Sequence, residues 1–511
     1  MNEAKRPKVF VLGIDGATFR VIKPLVGEGK LPSFERMMRE GYYSDLESTI
    51  PPISGPAWTS FATGLQPKDH GIFDFILKKE GEYRPHYINS RDVKVPTFWE
   101  TLGREGYRVI VQNIMVTYPP KPVNGYLITG GLTPPGRPYT YPPELRKELE
   151  DRFGGYPHLP VGGISPQSDE RKYVRKLFNN MDIRKRITRY LMREKPWDLF
   201  VVMFEGADSL QHAFWHYFDE EHPNYQHIED GLVREAIPNF YIEMDRFVGE
   251  IIDSLPEGTT LIIMSDHGFG RLEKYFAVNN LLLETGMLRL KNSFSTRIKK
   301  AWFNPVVNPA AMYRVINKLD FGSLVSKTDP RNKNSGSFSL RSLLMTRDDI
   351  EWSKTKAFAM GSAGHIYINV KDREKSGIVE LGEEYREIRR EIIRGLEDLE
   401  DPETGGRVVE KVCTKRELFS GEYFKSAPDI TIVPAEGYAT LHKEVFTSPD
   451  TLLSAPNTGY HRPEGIFMTR NTYGSIPEIS EDVTHIWSIW DFVLKLFQTE
   501  NQIPPAIERR L

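Results

Sequence analysis

Val9-Phe10-Val11-Leu12-Gly13-Ile14-Asp15-Gly16 is the stretch that decides the fold. A run that is apolar almost throughout, rather than at every second position, reads as a strand buried on both faces of a parallel sheet. It stops at Asp-Gly, and the carboxyl ends of such strands are where open α/β sheets hold ligands. The same grammar recurs twice. Asp198 to Phe204 is a second buried strand that runs into Glu205-Gly206-Ala207-Asp208. Thr260 to Met264 is a third, ending in Ser265-Asp266-His267-Gly268. Three apolar strands, each leading into an acidic residue, predict an α/β fold: a mostly parallel, doubly wound central sheet with helices on both sides.

Outward from these strands, helical patterns cover 19–28 and 32–40. The rigid turn Pro51-Pro52-Ile53-Ser54-Gly55-Pro56 leads into an apolar helix over Ala57 to Thr63. Residues 97–104 and 107–115 read as helix and strand. Residues 116–165, dense in Pro, Gly and Tyr, read as a long loop region. A basic helical stretch follows at 169–195 and a long helix at 230–254. Residues 288–345 carry Lys, Arg, Asn, Ser and scattered aromatics with no clear strand, and read as an inserted cap. Strands return at 365–370 and 429–434 around a charged helix at 382–398, and an amphipathic helix covers 482–498. The expected organisation is a core in two parts, 1–287 and 346–511, split by a cap at 288–345. No internal repeat is visible.

Composition excludes several classes. The chain has 511 residues, 39% hydrophobic and 12% aromatic, enough for a real core and too many for a disordered chain. A net charge of -3 excludes a nucleic-acid binder held by bulk charge. The single cysteine, Cys413, excludes a disulfide scaffold and a CxxC zinc site, so any metal must be held by the 12 histidines or by Asp and Glu. No run approaches the ~18 apolar residues of a membrane span. Met1 to Lys8 is polar and lacks the apolar stretch of a signal peptide, so the expectation is a soluble, cytoplasmic protein.

The chemistry-bearing residues are Asp15; Ser54; Asp208 and His212; Asp266 and His267; and His461 in Gly459-Tyr460-His461-Arg462. A helix starting near Asp208 puts Asp208 and His212, four apart, on one side, where they can share a metal. Asp with neutral imidazole suits Zn²⁺, and also Mn²⁺ or Fe²⁺. Two ions ~4 Å apart would activate a nucleophile and steady the oxygens around it. Ser54 has no evident Ser-His-Asp partners, so metal activation is the better reading, and a helix N-terminus there favours a phosphate. Each motif alone has a bland reading, as a helix cap or turn residue. It is their joint order that speaks for a site.

That joint order resembles the alkaline phosphatase superfamily, in particular its type I phosphodiesterase/nucleotide pyrophosphatase branch. It is similar, closer still, to the predicted phosphohydrolase/phosphomutase proteins of archaea and bacteria. The residues are Gly13-Ile-Asp-Gly16, Pro51-Pro-Ile-Ser-Gly-Pro-Ala-Trp-Thr-Ser-Phe-Ala-Thr-Gly64, His70-Gly-Ile72, Asp208-x-x-x-His212, Ser265-Asp-His-Gly268 and Gly459-x-His461. The resemblance implies an alkaline-phosphatase-like three-layer fold and a metal-dependent phosphohydrolase acting on a small phosphorylated substrate. Asp15, Ser54, Asp266 and His267 would bind one metal, and Asp208, His212 and His461 the other. The ions would be zinc, or alternatively manganese. Ser54 would also be the nucleophile and carry the phosphoryl group as a covalent intermediate.

Two departures matter. The diesterase branch carries an Asn shortly after its His-Gly-Ile motif, and Phe75 stands about where it should be, which weighs against diester specificity. Sulfatases need x-Pro-x-Arg after the nucleophile, and here Trp58 stands in place of the Arg. Phosphomutases use the same core and return the phosphoryl group to a hydroxyl of the substrate. A non-catalytic metal-bound phospholigand-binding protein is the alternative from another class. His216, four residues after His212, is a rival to His461. His70, His86, His365 and His485 have no evident partner. In the cap, Lys291, Arg297, Lys299, Lys300, Arg314 and Lys318 could meet an anionic substrate, and Trp302, Phe303 and Tyr313 could cover a base or sugar; a solvated face is the simpler reading. No nucleic-acid polymer is expected as a partner.

Overall fold

The run that opens the chain forms the strand Lys8–Ile14, and its alternate side chains feed two separate cores. Phe10, Leu12 and Ile14 enter one, and Val9 and Val11 enter the other. This is why the run is apolar at successive positions: both faces of the strand are covered. The structure, a computed structural model, describes residues 6–158, 169–302, 345–441, 450–472 and 477–497.

The central sheet has eight strands, in the order Tyr42–Glu47, Glu464–Asn471, Thr259–Met264, Lys8–Ile14, Leu199–Phe204, Val109–Gln112, Gly125–Ile128 and Thr140–Tyr141. The five from Thr259–Met264 to Gly125–Ile128 are parallel. Glu464–Asn471 and Thr140–Tyr141 run antiparallel to their neighbours. One face packs on the helices Phe19–Gly27, Pro32–Glu40, Glu170–Glu194, Gly206–Phe218 and Ala236–Ser254. The other packs on Ser54–Thr63, Phe98–Arg104 and Ser488–Phe497. The result is the expected three-layer α/β architecture.

Some local expectations shift. The helix expected from Ala57 starts at Ser54, because Pro56 falls in the first turn, where its missing N–H costs nothing. The 116–165 region, read as loop, holds the strands Gly125–Ile128 and Thr140–Tyr141 and the helix Glu144–Phe153. Density in Pro and Gly hid short elements there. Residues 303–344 of the expected cap, with Phe303, Tyr313, Arg314 and Lys318, lie outside the described residues. Before them, the helix Phe294–Trp302 leaves Arg297 and Lys300 exposed, while Lys299 Nζ pairs with Asp349 at 2.9 Å.

A second, antiparallel sheet orders Ala357–Met360, His365–Ile368, Ile430–Pro434 and Val409–Thr414. A charge network is buried beside it. Lys78 Nζ lies 2.8 Å from Glu374, Arg373 Nη2 2.6 Å from Asp429, and Lys415 Nζ 3.7 Å from Asp429. A further strand, Gly268–Phe276, pairs antiparallel with Gly459–Arg462 and with Leu452–Ser454. It starts directly after Asp266-His267, and so ties the late segment of the chain to the end of the central sheet.

Candidate active site

Strand register brings the acidic residues level. Gly13 stands opposite both Met203 and Met264, so Asp15, Glu205 and Asp266 follow at the same edge. Ser54 is the first residue of its helix, after an extended Ile53, and the helix ends at Gly64 in the left-handed conformation at φ 70°. The ten residues Ser54–Thr63 are all buried, which fixes the N-terminus against the sheet edge. Ser54 Oγ lies 3.2 Å from His267 Nε2 and 3.5 Å from Asp15 Oδ1.

Asp208 and His212 lie one turn apart on Gly206–Phe218, with Oδ1 to Nε2 at 3.3 Å. His461 arrives from the other end of the chain. Its strand pairs with Gly268–Phe276, opposite Phe269, and stacks its ring on His267 at 3.7 Å between centroids. The helix can approach because position 459 is glycine: a Cβ there would stand 2.3 Å from Gln211 O. His461 Nε2 is 3.2 Å from Asp208 Oδ1 and 3.0 Å from His212 Nε2.

The tautomers follow from the backbone. Nδ1 of His212 faces Gly459 O at 2.9 Å, that of His461 faces Pro52 O at 2.9 Å, and that of His267 faces Gly268 O at 3.0 Å. A carbonyl only accepts, so each Nδ1 carries the hydrogen and each neutral ring turns a lone pair on Nε2 inward. Metal-ligating histidines are held in this way. Two such lone pairs 3.0 Å apart repel unless a cation or a proton lies between them.

Charge balance points the same way. Asp15, Asp208 and Asp266 converge, and among the described residues no Lys or Arg forms an ion pair with any of them. Burial, with Asp266 and Asp208 nearby, pushes the Asp15 carboxyl well above its ordinary range. Burial, and then Asp208, pushes Asp266 up to about 7. Burial also raises Asp208, but His212 and His461 outweigh it and hold that carboxyl well below the usual range. Burial lowers His212, yet Asp208 raises it more. His461 falls to about 3, through burial and then His267. Among the described residues Asp266 Oδ2 is a buried oxygen with no hydrogen-bond partner, 3.4 Å from His267 Nε2.

The donor atoms of Asp208, His212 and His461 lie within 4.8 Å of one another, as do those of Asp15, Asp208 and His267. Asp208 therefore stands between two ligand sets. Carboxylate oxygens and imidazole nitrogens, short of positive charge and with an orphaned oxygen among them, fit divalent zinc or manganese.

The structure gathers Asp15, Ser54, Asp208, His212, Asp266, His267 and His461 into this one place. His216 is not among them, since its Nδ1 is engaged with Thr458 Oγ1 at 2.9 Å. The four other histidines singled out in the sequence have partners that no sequence spacing reveals. His70 bonds Ser60 Oγ at 2.9 Å, His86 pairs with Asp92, His365 faces Phe73 O at 3.1 Å, and His485 lies 3.1 Å from Glu47. A Cβ on Gly55 would stand 3.2 Å from the ring of Phe75, which lies beside the turn that carries Ser54. Sequence reasoning missed the Trp58 indole, which bonds Asp15 Oδ2 at 3.1 Å. The available signal was its position four residues after Ser54.

Residues 9–450 match the family "Type I phosphodiesterase / nucleotide pyrophosphatase". No curated protein matches the sequence. Among solved structures, phosphonoacetate hydrolase from Sinorhizobium meliloti 1021 in complex with phosphonoformate is similar, with a TM-score of 0.54, 14% identity and 96% of each chain covered. Its complex with phosphonoacetate gives 0.54, 15% and the same coverage. At such identity the likeness concerns the fold. The chain belongs to the type I phosphodiesterase/nucleotide pyrophosphatase family and is a hydrolase of phosphoric esters.

Proposed function

We propose that this family member cleaves a small phosphate ester through a phosphorylated Ser54, with two divalent ions at the sheet edge. Asp15, Ser54, Asp266 and His267 would hold one ion, and Asp208, His212 and His461 the other, with zinc or manganese in both. The observation that carries the reading is the pair of inward Nε2 lone pairs of His212 and His461, 3.0 Å apart beside Asp208, with His461 stacked on the His267 ring that Ser54 Oγ approaches at 3.2 Å. Bound ions would lower the pKa of the Ser54 hydroxyl and offset charge on the phosphoryl oxygens.

The chain's own residues do the rest. Ser54 sits at the N-terminal end of a ten-residue helix whose first turn includes Pro56, so the Ser54 and Gly55 N–H groups are the donors nearest a phosphoryl oxygen. The Oγ–P bond forms as the ester P–O bond breaks. The Ser54 proton is lost to solvent, and the departing oxygen takes one from solvent. Water then attacks the phosphoserine and restores the hydroxyl, releasing phosphate where the substrate is a monoester and a phosphomonoester where it is a diester. The ring of Phe75 lies against Gly55 and would give the site an apolar wall beside Ser54.

The test is turnover of an aryl phosphodiester and an aryl phosphomonoester with Zn²⁺ or Mn²⁺. Wild type should cleave at least one, and Ser54→Ala should lose that activity by about 10³-fold or more while still binding ligand. Activity that survives in Ser54→Ala removes the covalent intermediate from the reading. Failure of the metal-loaded wild type on both esters removes simple hydrolysis.

A further inference from the structure

The helix Ser54–Thr63 turns a second polar group toward the site, one turn beyond the serine. Trp58 is wholly buried, and an indole offers one donor and no acceptor. That donor, Nε1–H, goes to Asp15 Oδ2 at 3.1 Å. The other oxygen, Oδ1, faces Ser54 Oγ and His267 Nε2, each at 3.5 Å. The carboxylate is therefore divided, with one oxygen committed to the helix and one to the site.

The ring reaches Asp15 by lying across the strand at Gly13. A Cβ built on Gly13 would stand 2.5 Å from Trp58 Cη2, so glycine is required there by the indole. Phe61, from the same helix, closes on the ring edge-to-face at 5.3 Å between centroids. A sequence that had only to fill the core would not need both a glycine under the ring and an acceptor at its nitrogen.

We propose that Trp58 is a positioning residue for the metal site, reserving Asp15 Oδ2 and leaving Oδ1 as the single oxygen offered to a divalent cation. The inference rests on the reading of Asp15 as a metal ligand. The terminal torsion of a carboxylate is broad, so an unrestrained Asp15 could turn either oxygen, or both, toward an ion. The indole N–H removes that freedom. Such outer partners orient ligands, and losing one costs typically 10–100-fold in metal affinity or activity. Since Ser54 and Trp58 lie four apart on one helix face, a single rigid body fixes both the nucleophile and its neighbouring ligand.

Calorimetric titration of Zn²⁺ into metal-stripped protein tests this, alongside thermal melts of the metal-free forms. Trp58→Phe keeps a packed ring and loses the N–H. It should weaken Zn²⁺ binding 10–100-fold at one class of site. Trp58→His, which restores a ring N–H, should regain part of that loss. A Trp58→Phe protein that melts lower but binds Zn²⁺ as tightly as wild type overturns the inference, as does equal weakening in the Phe and His variants. Where Trp58→Phe fails to fold, Gly13→Ala carries the test, because it keeps the indole and displaces it; unchanged Zn²⁺ affinity then overturns the inference. A wild type that takes up neither Zn²⁺ nor Mn²⁺ is a different failure, that of the metal-site reading itself.

Discussion

Two regions of this molecule bury charge, and they do so in opposite ways. Beside the second sheet, Glu374 and Asp429 are met by Lys78, Arg373 and Lys415, with the Tyr385 hydroxyl donating to Asp429 at 2.9 Å. Burial would raise the Asp429 carboxyl, but Arg373 holds it below its ordinary range. At the edge of the central sheet, three aspartates converge and no Lys or Arg among the described residues forms an ion pair with them, and two of them are driven upward. The first region is balanced by its own chain and reads as architecture. The second is short of positive charge in the folded state, and a fold tolerates that where a ligand supplies the balance.

The contrast can be broken in order of effect. Dialysis against a chelator should take turnover of the aryl ester to background, and Zn²⁺ or Mn²⁺ should restore it, while circular dichroism shows the fold retained. Loss of the fold with the metal would make the site architectural too. Next, Arg373→Met takes the closest cation from the buried Asp429 carboxylate, leaving it Lys415 at 3.7 Å. Denaturant unfolding should show a loss of about 3–5 kcal/mol, with kcat per folded molecule unchanged.

Asp266→Asn should carry the opposite sign. It removes a charge from an uncompensated cluster and keeps an oxygen for the Gly16 N–H, which Asp266 Oδ1 accepts at 3.2 Å. The metal-free protein should gain about 1–3 kcal/mol, and metal affinity should fall. A destabilised metal-free variant would contradict the charge deficit.

The smallest effect is on pH dependence in the metal-free protein. Asp266 titrates near 7 when folded and near its ordinary 3.8 when unfolded, so between these values the folded state holds more protons and stability falls as pH rises. The slope should be a fraction of the ~1.4 kcal/mol per pH unit that one full proton gives. Asp429 acts the other way: its contribution is present above the unfolded value of 3.8 and is lost as pH falls through its lowered folded value. Asp266→Asn should flatten the first slope and leave the second, as stability curves against pH would show.

The two regions also differ in how far sequence exposes them. The strands ending at Asp15, Glu205 and Asp266 were legible because continuous apolar runs are rare outside doubly covered strands. Asp208 and His212 were legible through helical spacing. His461 needed the resemblance, because the antiparallel ladder that delivers it joins segments far apart in the chain. The strand Glu464–Asn471 escaped notice because its sequence, EGIFMTRN, mixes polar and apolar positions, although it pairs on both sides. The balanced network was invisible. Lys78, Arg373, Glu374, Lys415 and Asp429 come from separate segments, and nothing in one dimension says that a surface-type residue is buried. Trp58 read as a substitute for a missing Arg, not as a partner of Asp15.

The complete burial of Ser54–Thr63 bears on motion as well as on chemistry. Loops and termini exchange their amide hydrogens by local opening, whereas an element enclosed on every side opens only when the whole unit does. The hydrogen-bonded amides of this helix, from Ala57 onward, therefore belong with the slowest-exchanging group. A molecule whose periphery has come loose still holds the Ser54 hydroxyl in place, and one that has lost the hydroxyl's setting has lost its native structure altogether.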